Sequence, residues 1–173
     1  LNHEVSSERI ATGIPRLDAM LGGRGFYRGS SILLTGTPGT GKTSVAANFA
    51  QAAGRRGERT LFFSFEESPA QIVRNMKSIG LRLEPLVKRG LLRFHSQRPS
   101  HYGLEMHLAT MFKEIGEFRP QVVVVEDGVG GGGEDLQRAQ REARARGSPV
   151  ARGKVLEDGV VALVDEQRFE CEW

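Results

Sequence analysis

The sequence has little cysteine and lacks any long apolar run. Its single cysteine, Cys171, cannot form an internal disulfide, which fits the reducing environment of the cytoplasm. The histidines are scattered and match no spacing of a metal site. No apolar run reaches the length of a membrane span, and the N-terminus lacks the basic-then-apolar pattern of a secretory signal. These absences predict a cytoplasmic protein without a membrane segment, a disulfide or a structural metal site.

An excess of charge of one sign is also lacking. The 173 residues include 24 Lys and Arg against 21 Asp and Glu, which leaves a net charge of +3. The basic pairs 55–56 and 88–89 are too short to form the basic stripe of a nucleic-acid interface. Nucleic-acid binding is therefore neither excluded nor supported. The length predicts one domain or a piece of one.

What the sequence does contain is a complete phosphate-binding loop, G-x-x-x-x-G-K-T, which begins at Gly36. The loop stands between an apolar run, 31–35, and a helical stretch, 43–53, as this motif requires. Its glycines let backbone amides point at a phosphate, and the helix N-terminus attracts the same anion. The predicted nucleotide-binding residues are Thr37, Pro38, Gly39, Thr40, Gly41, Lys42 and Thr43, and the Thr43 hydroxyl is also a predicted Mg²⁺ ligand.

Strand-like and helix-like segments alternate along the chain as far as residue 127. Apolar runs of strand length occupy residues 31–35, 60–65, 91–94 and 122–125. Helical periodicity occupies residues 15–21, 43–53, 68–79 and 104–115. This alternation predicts an α/β fold with a mainly parallel sheet flanked by helices. Ligands of such sheets bind at the carboxyl ends of the strands.

Two pairs of acidic residues follow predicted strands at that edge of the sheet. Glu66 and Glu67 follow the run 60–65, and Glu126 and Asp127 follow the four valines. A nucleotide hydrolase needs one acid on the Mg²⁺ side and another that orients the attacking water. Alternatively, the first pair only begins the next helix, where negative charge stabilises by about 0.3–1 kcal/mol. The phosphate loop favours a catalytic role for Glu66 or Glu67.

Several motifs in this order resemble the KaiC family of RecA-fold ATPases. They are R-I-A-T-G-I-P-R-L-D at 9–18, L-G-G-R-G at 21–25, G-S at 29–30, the phosphate loop, and F-F-S-F-E-E-S at 62–68. The resemblance covers roughly residues 8–127 and defines a predicted RecA-like nucleotide-binding core. It implies ATP and Mg²⁺ as cofactors, a homo-oligomer that is hexameric in the family, and a link to circadian timing or signalling.

The resemblance also assigns roles by position. Lys42 and Thr43 would bind phosphate and Mg²⁺, and Glu66 and Glu67 would be the catalytic carboxylates. The acid after the valine strand would be the Walker B residue on the Mg²⁺ side. Run length places Glu126 there and residue type places Asp127, and we favour Asp127.

Residues 128–173 depart from the family pattern, so the RecA-like domain is expected to be truncated. The segment reads as a Gly-rich linker, a polar helix at 134–146 and a hairpin that turns at Asp158-Gly159 and pairs with a sheet edge. An alternate reading frame or a short native tail would each explain it. No residue that acts across a subunit boundary can be assigned, and autokinase activity is not supported.

Three functional hypotheses follow. The first is an ATP-binding domain that hydrolyses ATP slowly. The second is a nucleotide-binding or oligomerisation module that has lost hydrolysis. The third is a DNA-repair ATPase of the wider RecA group, for which the sequence offers neither a basic stripe nor an aromatic stacking platform.

Overall fold

A computed structural model describes residues 6–37, 39–65, 67–96, 104–126 and 159–163 of the chain. The strands in this part are β1 (Arg9–Ile10), β2 (Phe26–Tyr27), β3 (Ser31–Thr35), β4 (Thr60–Ser64), β5 (Leu92–Ser96), β6 (Val122–Glu126) and β7 (Gly159–Leu163). The helices are α1 (Pro15–Met20), α2 (Lys42–Arg55), α3 (Pro69–Ser78), α4 (Glu84–Lys88) and α5 (Leu104–Phe118). Each predicted strand and helix up to residue 126 is present. The short helix α4 is an addition that the sequence pattern does not predict.

Five strands form the main sheet in the order β3-β7-β6-β4-β5. β4 is parallel to both β5 and β6, and β7 is antiparallel to both β3 and β6. Four of the five strands therefore run in one direction, and β7 alone runs in the other. The prediction of an α/β fold with a mainly parallel sheet is confirmed.

Helices cover both faces of this sheet beside its interior strand β4. All five residues of β4 are buried. Phe62 belongs to one apolar cluster, with residues of α2, α3 and α4, while Leu61 and Phe63 belong to a second cluster, with residues of α5. Because side chains alternate along a strand, successive residues of β4 supply two separate cores. The continuous apolar run of β4 is the pattern of a strand buried on both faces.

The tail strand β7 differs from the sequence-based expectation in its position. The expected hairpin pairs with an edge of the sheet, whereas β7 lies in the interior of the sheet between β3 and β6. β7 also begins at Gly159, which pairs with Thr35. The physical reason is that β3 and β6 leave a gap that an interior strand can fill with hydrogen bonds on both sides. The other arm of the hairpin, the Gly-rich linker and the polar helix lie outside the described residues.

The segment 9–27 folds as a cap against the phosphate-loop helix. β1 and β2 pair as a two-stranded antiparallel sheet. The Arg9 guanidinium lies 3.8 Å from the centre of the Tyr27 ring, and its Nη1 donates to the carbonyls of Leu21 and Gly25. Ile10 is buried in the same cluster as α2 residues. The motifs 9–18 and 21–25 therefore act structurally, by fixing this cap.

Gly25 is the position in the cap where a side chain is least tolerable. Its φ is +80°, and a Cβ atom there would lie 2.1 Å from the Ile10 carbonyl oxygen. An unfavourable backbone angle alone costs about 1–3 kcal/mol. We expect Gly25→Ala to lower the free energy of unfolding by more than this, because the clash adds to the cost of the angle. The matched control is Gly23→Ala, because Gly23 has a φ of +78° but no atom within 4 Å of its Cβ position. Urea unfolding of both variants measures the difference, and equal losses would contradict the clash.

A charged cluster joins the cap to the end of α2. Glu58 is 13% exposed and accepts hydrogen bonds from Arg28 and Arg56, and Arg28 also contacts Glu8. Burial alone would raise the pKa of the Glu58 carboxyl, but the hydrogen bonds and charges of Arg56 and Arg28 outweigh it and lower the pKa below its usual value. A carboxyl whose pKa is depressed by folding stabilises the fold above its unfolded pKa.

We expect Glu58→Gln to lower the free energy of unfolding at neutral pH by about 1–3 kcal/mol, the scale of hydrogen bonds to charged groups. The stabilisation from the Glu58 carboxylate is lost as the pH falls from the ordinary Glu pKa of 4.5 through the lower pKa of the folded state. The difference in free energy of unfolding between the variant and the parent chain should therefore shrink over that pH range. Thermal melts between pH 3 and about 7 measure it. Glu117→Gln, at an exposed carboxyl, is the control. Equal melts of the Glu58 variant and the parent chain at neutral pH would refute the prediction.

Candidate functional site

The phosphate loop connects the carboxyl end of β3 to the first turn of α2. Gly39 and Gly41 have φ values of +83° and +89°, which L side chains rarely adopt. Gly41 is the N-cap of α2, and no side chain there accepts a hydrogen bond from the helix. The first amides of this 14-residue helix therefore keep their hydrogen-bonding capacity for an anion. Pro38 lies outside the described residues.

Lys42 and Thr40 fold back onto the loop. The Lys42 Nζ atom donates to the Gly36 carbonyl and, at 3.4 Å, to the Thr37 carbonyl. The Thr40 hydroxyl donates to the same Thr37 carbonyl at 2.8 Å. The Lys42 ammonium thus lies against the loop, where its positive charge would attract a bound phosphate. A phosphate held by the loop would lie within the field of Lys42.

Thr43 connects the first turn of α2 to the end of β6. Its hydroxyl donates a hydrogen bond to Oε1 of Glu126, which is 83 positions away in sequence. This contact brings together two of the predicted site residues, one from helix α2 and one from strand β6. Both groups present hard oxygen atoms, the ligand type that Mg²⁺ prefers. Asp127, the other candidate acid, lies outside the described residues.

Glu67 belongs to a separate set of contacts at the ends of β4 and β5. Its Oε2 atom accepts a hydrogen bond from Asn75 Nδ2 of α3 at 3.4 Å. Its carbonyl accepts from the hydroxyls of Ser64 at 2.8 Å and Ser96 at 3.3 Å. In the described part of the chain its carboxylate contacts α3 and not the phosphate loop. Glu66, the other member of the predicted catalytic pair, lies outside that part.

The two serines and Asn75 were not predicted as site residues from the sequence. Ser64 and Ser96 are the last residues of adjacent parallel strands and pair in register, so both reach the carboxyl edge of the sheet. A hydroxyl at the end of each of two neighbouring strands is the signal that could have identified them. Ser68, at the start of the predicted helical stretch 68–79, caps α3 together with Gln71 in a capping box.

The oxygen atoms of Thr43 and Glu126 are a candidate Mg²⁺ site. Among the residues that the structure describes, no three His, Cys, Asp or Glu side chains form a cluster that could hold a metal ion. Mg²⁺ in nucleotide sites needs only one or two protein oxygens, because phosphates and water supply the others. Thr43 and Glu126 meet that requirement.

Among the helices of the described residues, none has the length and hydrophobicity of a membrane span.

The sequence is similar to known ATPases and circadian clock proteins over most of its length. A family model described as "ATPase: KaiC" matches residues 10–144. The circadian clock protein KaiC2 of Synechocystis sp. is 57% identical over 126 residues, which are 73% of this chain and 22% of that protein. The circadian clock oscillator proteins KaiC of Picosynechococcus sp. and Thermostichus vulcanus are 42% and 43% identical over the same share of this chain and 24% of their own length.

The chain spans about a quarter of the length of these curated relatives. The family match begins in β1, includes the phosphate loop and Glu126, and extends beyond the residue at which the motif resemblance ends. The chain therefore belongs to the KaiC family of ATPases, and its helix-flanked sheet has the RecA-like α/β fold of that family.

Proposed function

We propose that this domain binds ATP together with Mg²⁺ and hydrolyses it slowly. The observation that carries the proposal is the hydrogen bond between Thr43 and Glu126 beside an uncapped helix N-terminus. An acid from one strand and a hydroxyl from the phosphate-loop helix meet where the motif predicts a metal. The membership of the chain in an ATPase family supports the same activity.

In the proposed mechanism, the loop amides and the N-terminal amides of α2 bind the phosphates. Lys42 supplies a positive charge at the β- and γ-phosphates. Thr43 and Glu126 would hold Mg²⁺, whose positive charge would stabilise the charge on the phosphate oxygens. The contact with Thr43 leads us to propose Glu126, in place of Asp127, as the acid on the Mg²⁺ side.

The attacking water needs a carboxylate of its own. Glu67 engages Asn75 through its carboxylate and two serines through its carbonyl, so it fixes the turn after β4. We therefore assign the water-orienting role to Glu66 and a positioning role to Glu67. This assignment sharpens the expectation that either glutamate orients the water.

Assembly and slow turnover are part of the same proposal. Two of the relatives are named circadian clock oscillator proteins, and we propose that this domain acts in such regulation as part of a homo-oligomer, a hexamer by resemblance. A basic side chain that a neighbouring subunit inserts into a nucleotide site accelerates hydrolysis by about 10³–10⁵. Without such a residue this acceleration is absent. Hydrolysis by the isolated chain should then be slow.

The proposal is tested by ATP titration calorimetry with Mg²⁺ and with EDTA. Thr43→Val and Glu126→Gln should each weaken Mg²⁺-ATP binding by about tenfold or more, the scale of a hydrogen bond to a charged group, and leave Mg²⁺-free binding unchanged. Thr110→Val is the control, since the Thr110 hydroxyl donates to the Met106 carbonyl of its own helix. If both site variants keep the full gain from Mg²⁺, the proposed metal site is wrong.

A further inference from the structure

We infer that the tail strand β7 (Gly159–Leu163) positions Thr43 and Glu126, the proposed Mg²⁺-binding pair. The strand would then be needed for the nucleotide site. The inference rests on the proposed function of Thr43 and Glu126. It assigns a role to a segment beyond residue 144, where the family match ends. Its basis is the order of the strands and their register.

The two halves of the site are attached to strands that are not neighbours, β3 and β6. Thr43 follows β3 through the phosphate loop, and Glu126 is the last residue of β6. Within the described residues, β7 is the strand that pairs with both. The distance from β3 to β6 is therefore two strand spacings of about 4.8 Å, and β7 defines it.

The register of β7 also sets the level of the two strands along the sheet. Val160 pairs with Leu34 on one side and with Glu126 on the other. Val161 likewise pairs with Leu33 and Val125. Each β7 residue thus aligns one residue of β3 with one residue of β6. The end of β6 is held level with the point at which β3 enters the phosphate loop.

A change in this register would separate the pair. If β7 slipped by two residues along β6 and kept its pairing with β3, β3 would move by about 7 Å relative to β6. A hydrogen bond tolerates a few tenths of an ångström. Contact between Thr43 and Glu126 therefore requires the register that β7 has in this structure.

Helix α2 offers a competing means of holding the pair. It packs against β4, β6 and β7, and its Ala46, Ala47 and Phe49 are buried. Helix packing could keep Thr43 near β6 without any strand between them. Packing fixes a helix on a sheet less directly than a ladder of hydrogen bonds fixes a strand. The two explanations predict different results when β7 alone is weakened.

The first experiment establishes the register. In a Cys171→Ser background, Leu33→Cys with Val161→Cys should form a disulfide on mild oxidation, because these residues pair directly. Leu33→Cys with Leu163→Cys should not, because diagonal partners lie about 7–8 Å apart. Cross-linking of the diagonal pair in preference to the direct pair would overturn the inference, whatever the chain binds.

The second experiment measures positioning. Val161→Pro removes a ladder hydrogen bond from the interior of the sheet, and Val161→Thr is the matched β-branched control. We expect the affinity of the proline variant for Mg²⁺-ATP to fall by about tenfold, so that most of the gain from Mg²⁺ is lost. Its affinity for ATP without Mg²⁺ should stay the same. The threonine variant should match the parent chain. A folded proline variant with the full Mg²⁺ gain would overturn the inference in favour of α2.

Val161→Gly serves if the proline variant does not fold, because glycine weakens a strand without removing its amide. A partial loss of the Mg²⁺ gain is then expected, and an unchanged gain would refute positioning by β7. Failure of the proposed function looks different. In that case the parent chain itself shows no Mg²⁺-dependent gain, while the disulfide result still reports the register.

Discussion

Lys42→Ala is expected to abolish nucleotide binding by this domain. The lysine Nζ atom lies against the carbonyls of Gly36 and Thr37, at the loop that would hold the phosphates. Removal of the side chain takes away the single positive charge that the motif aims at the β- and γ-phosphates. The loop amides alone would then face a polyanion without a compensating charge. No other substitution in the loop would remove a full charge.

A thermal melt with and without Mg²⁺-ATP measures this effect. Ligand at a hundred times its dissociation constant should stabilise the parent chain by about 2.7 kcal/mol, a rise of a few degrees in Tm. The variant should show no rise at the same ligand concentration. The melt of the variant without ligand serves as its own baseline, because shortening Lys42 also removes the hydrogen bonds to the Gly36 and Thr37 carbonyls.

Lys88→Ala is the matched control for the loss of one lysine charge. Lys88 lies in the last turn of α4 and is exposed. It should keep the full rise in Tm. A Lys42→Ala variant that is stabilised as strongly as the control would show that the nucleotide binds elsewhere, and the site would have to be reassigned.

The parts of the fold that depend on local sequence were predictable. The apolar run of β4, the capping box at Ser68 and the phosphate loop each depend on residues close together in the chain. The acidic residue at the end of β6 was predictable for the same reason. The choice between Glu126 and Asp127 was not, because a contact with a threonine 83 positions away favours Glu126.

Non-local pairing explains most of what the sequence did not reveal. β7 carries an apolar run, but its place depends on the two strands that flank it. Phe112 lies within the predicted helical stretch 104–115, yet it is 38% exposed, while Phe118 at the end of that helix is buried. Phe118 packs in a cluster with Leu61, Phe63 and Val123, and Arg93 and Arg59 lie over its ring, at 4.3 Å and 5.7 Å from its centre. Such contacts depend on strand order.

Glu66→Gln is expected to remove ATP turnover while it leaves ATP binding intact. The proposed role of Glu66 is to orient and deprotonate the attacking water, and a positioned base of this kind contributes about 10²–10⁴ in rate. Glutamine keeps the size of the side chain but cannot accept the proton. Binding should be spared because the loop, Lys42 and Thr43 are unchanged. Phosphate release in a single turnover, with a large excess of enzyme, measures the loss.

Glu67→Gln is the comparison that separates the two glutamates. Its carbonyl contacts with Ser64 and Ser96 do not involve the side chain, and an amide oxygen can still accept from Asn75. We therefore expect a much smaller loss of turnover than in Glu66→Gln. Equal losses would make both carboxylates catalytic, as the sequence pair first indicated. Unchanged turnover in Glu66→Gln would refute its role and, if the parent chain also releases no phosphate, would favour a nucleotide-binding module without hydrolysis.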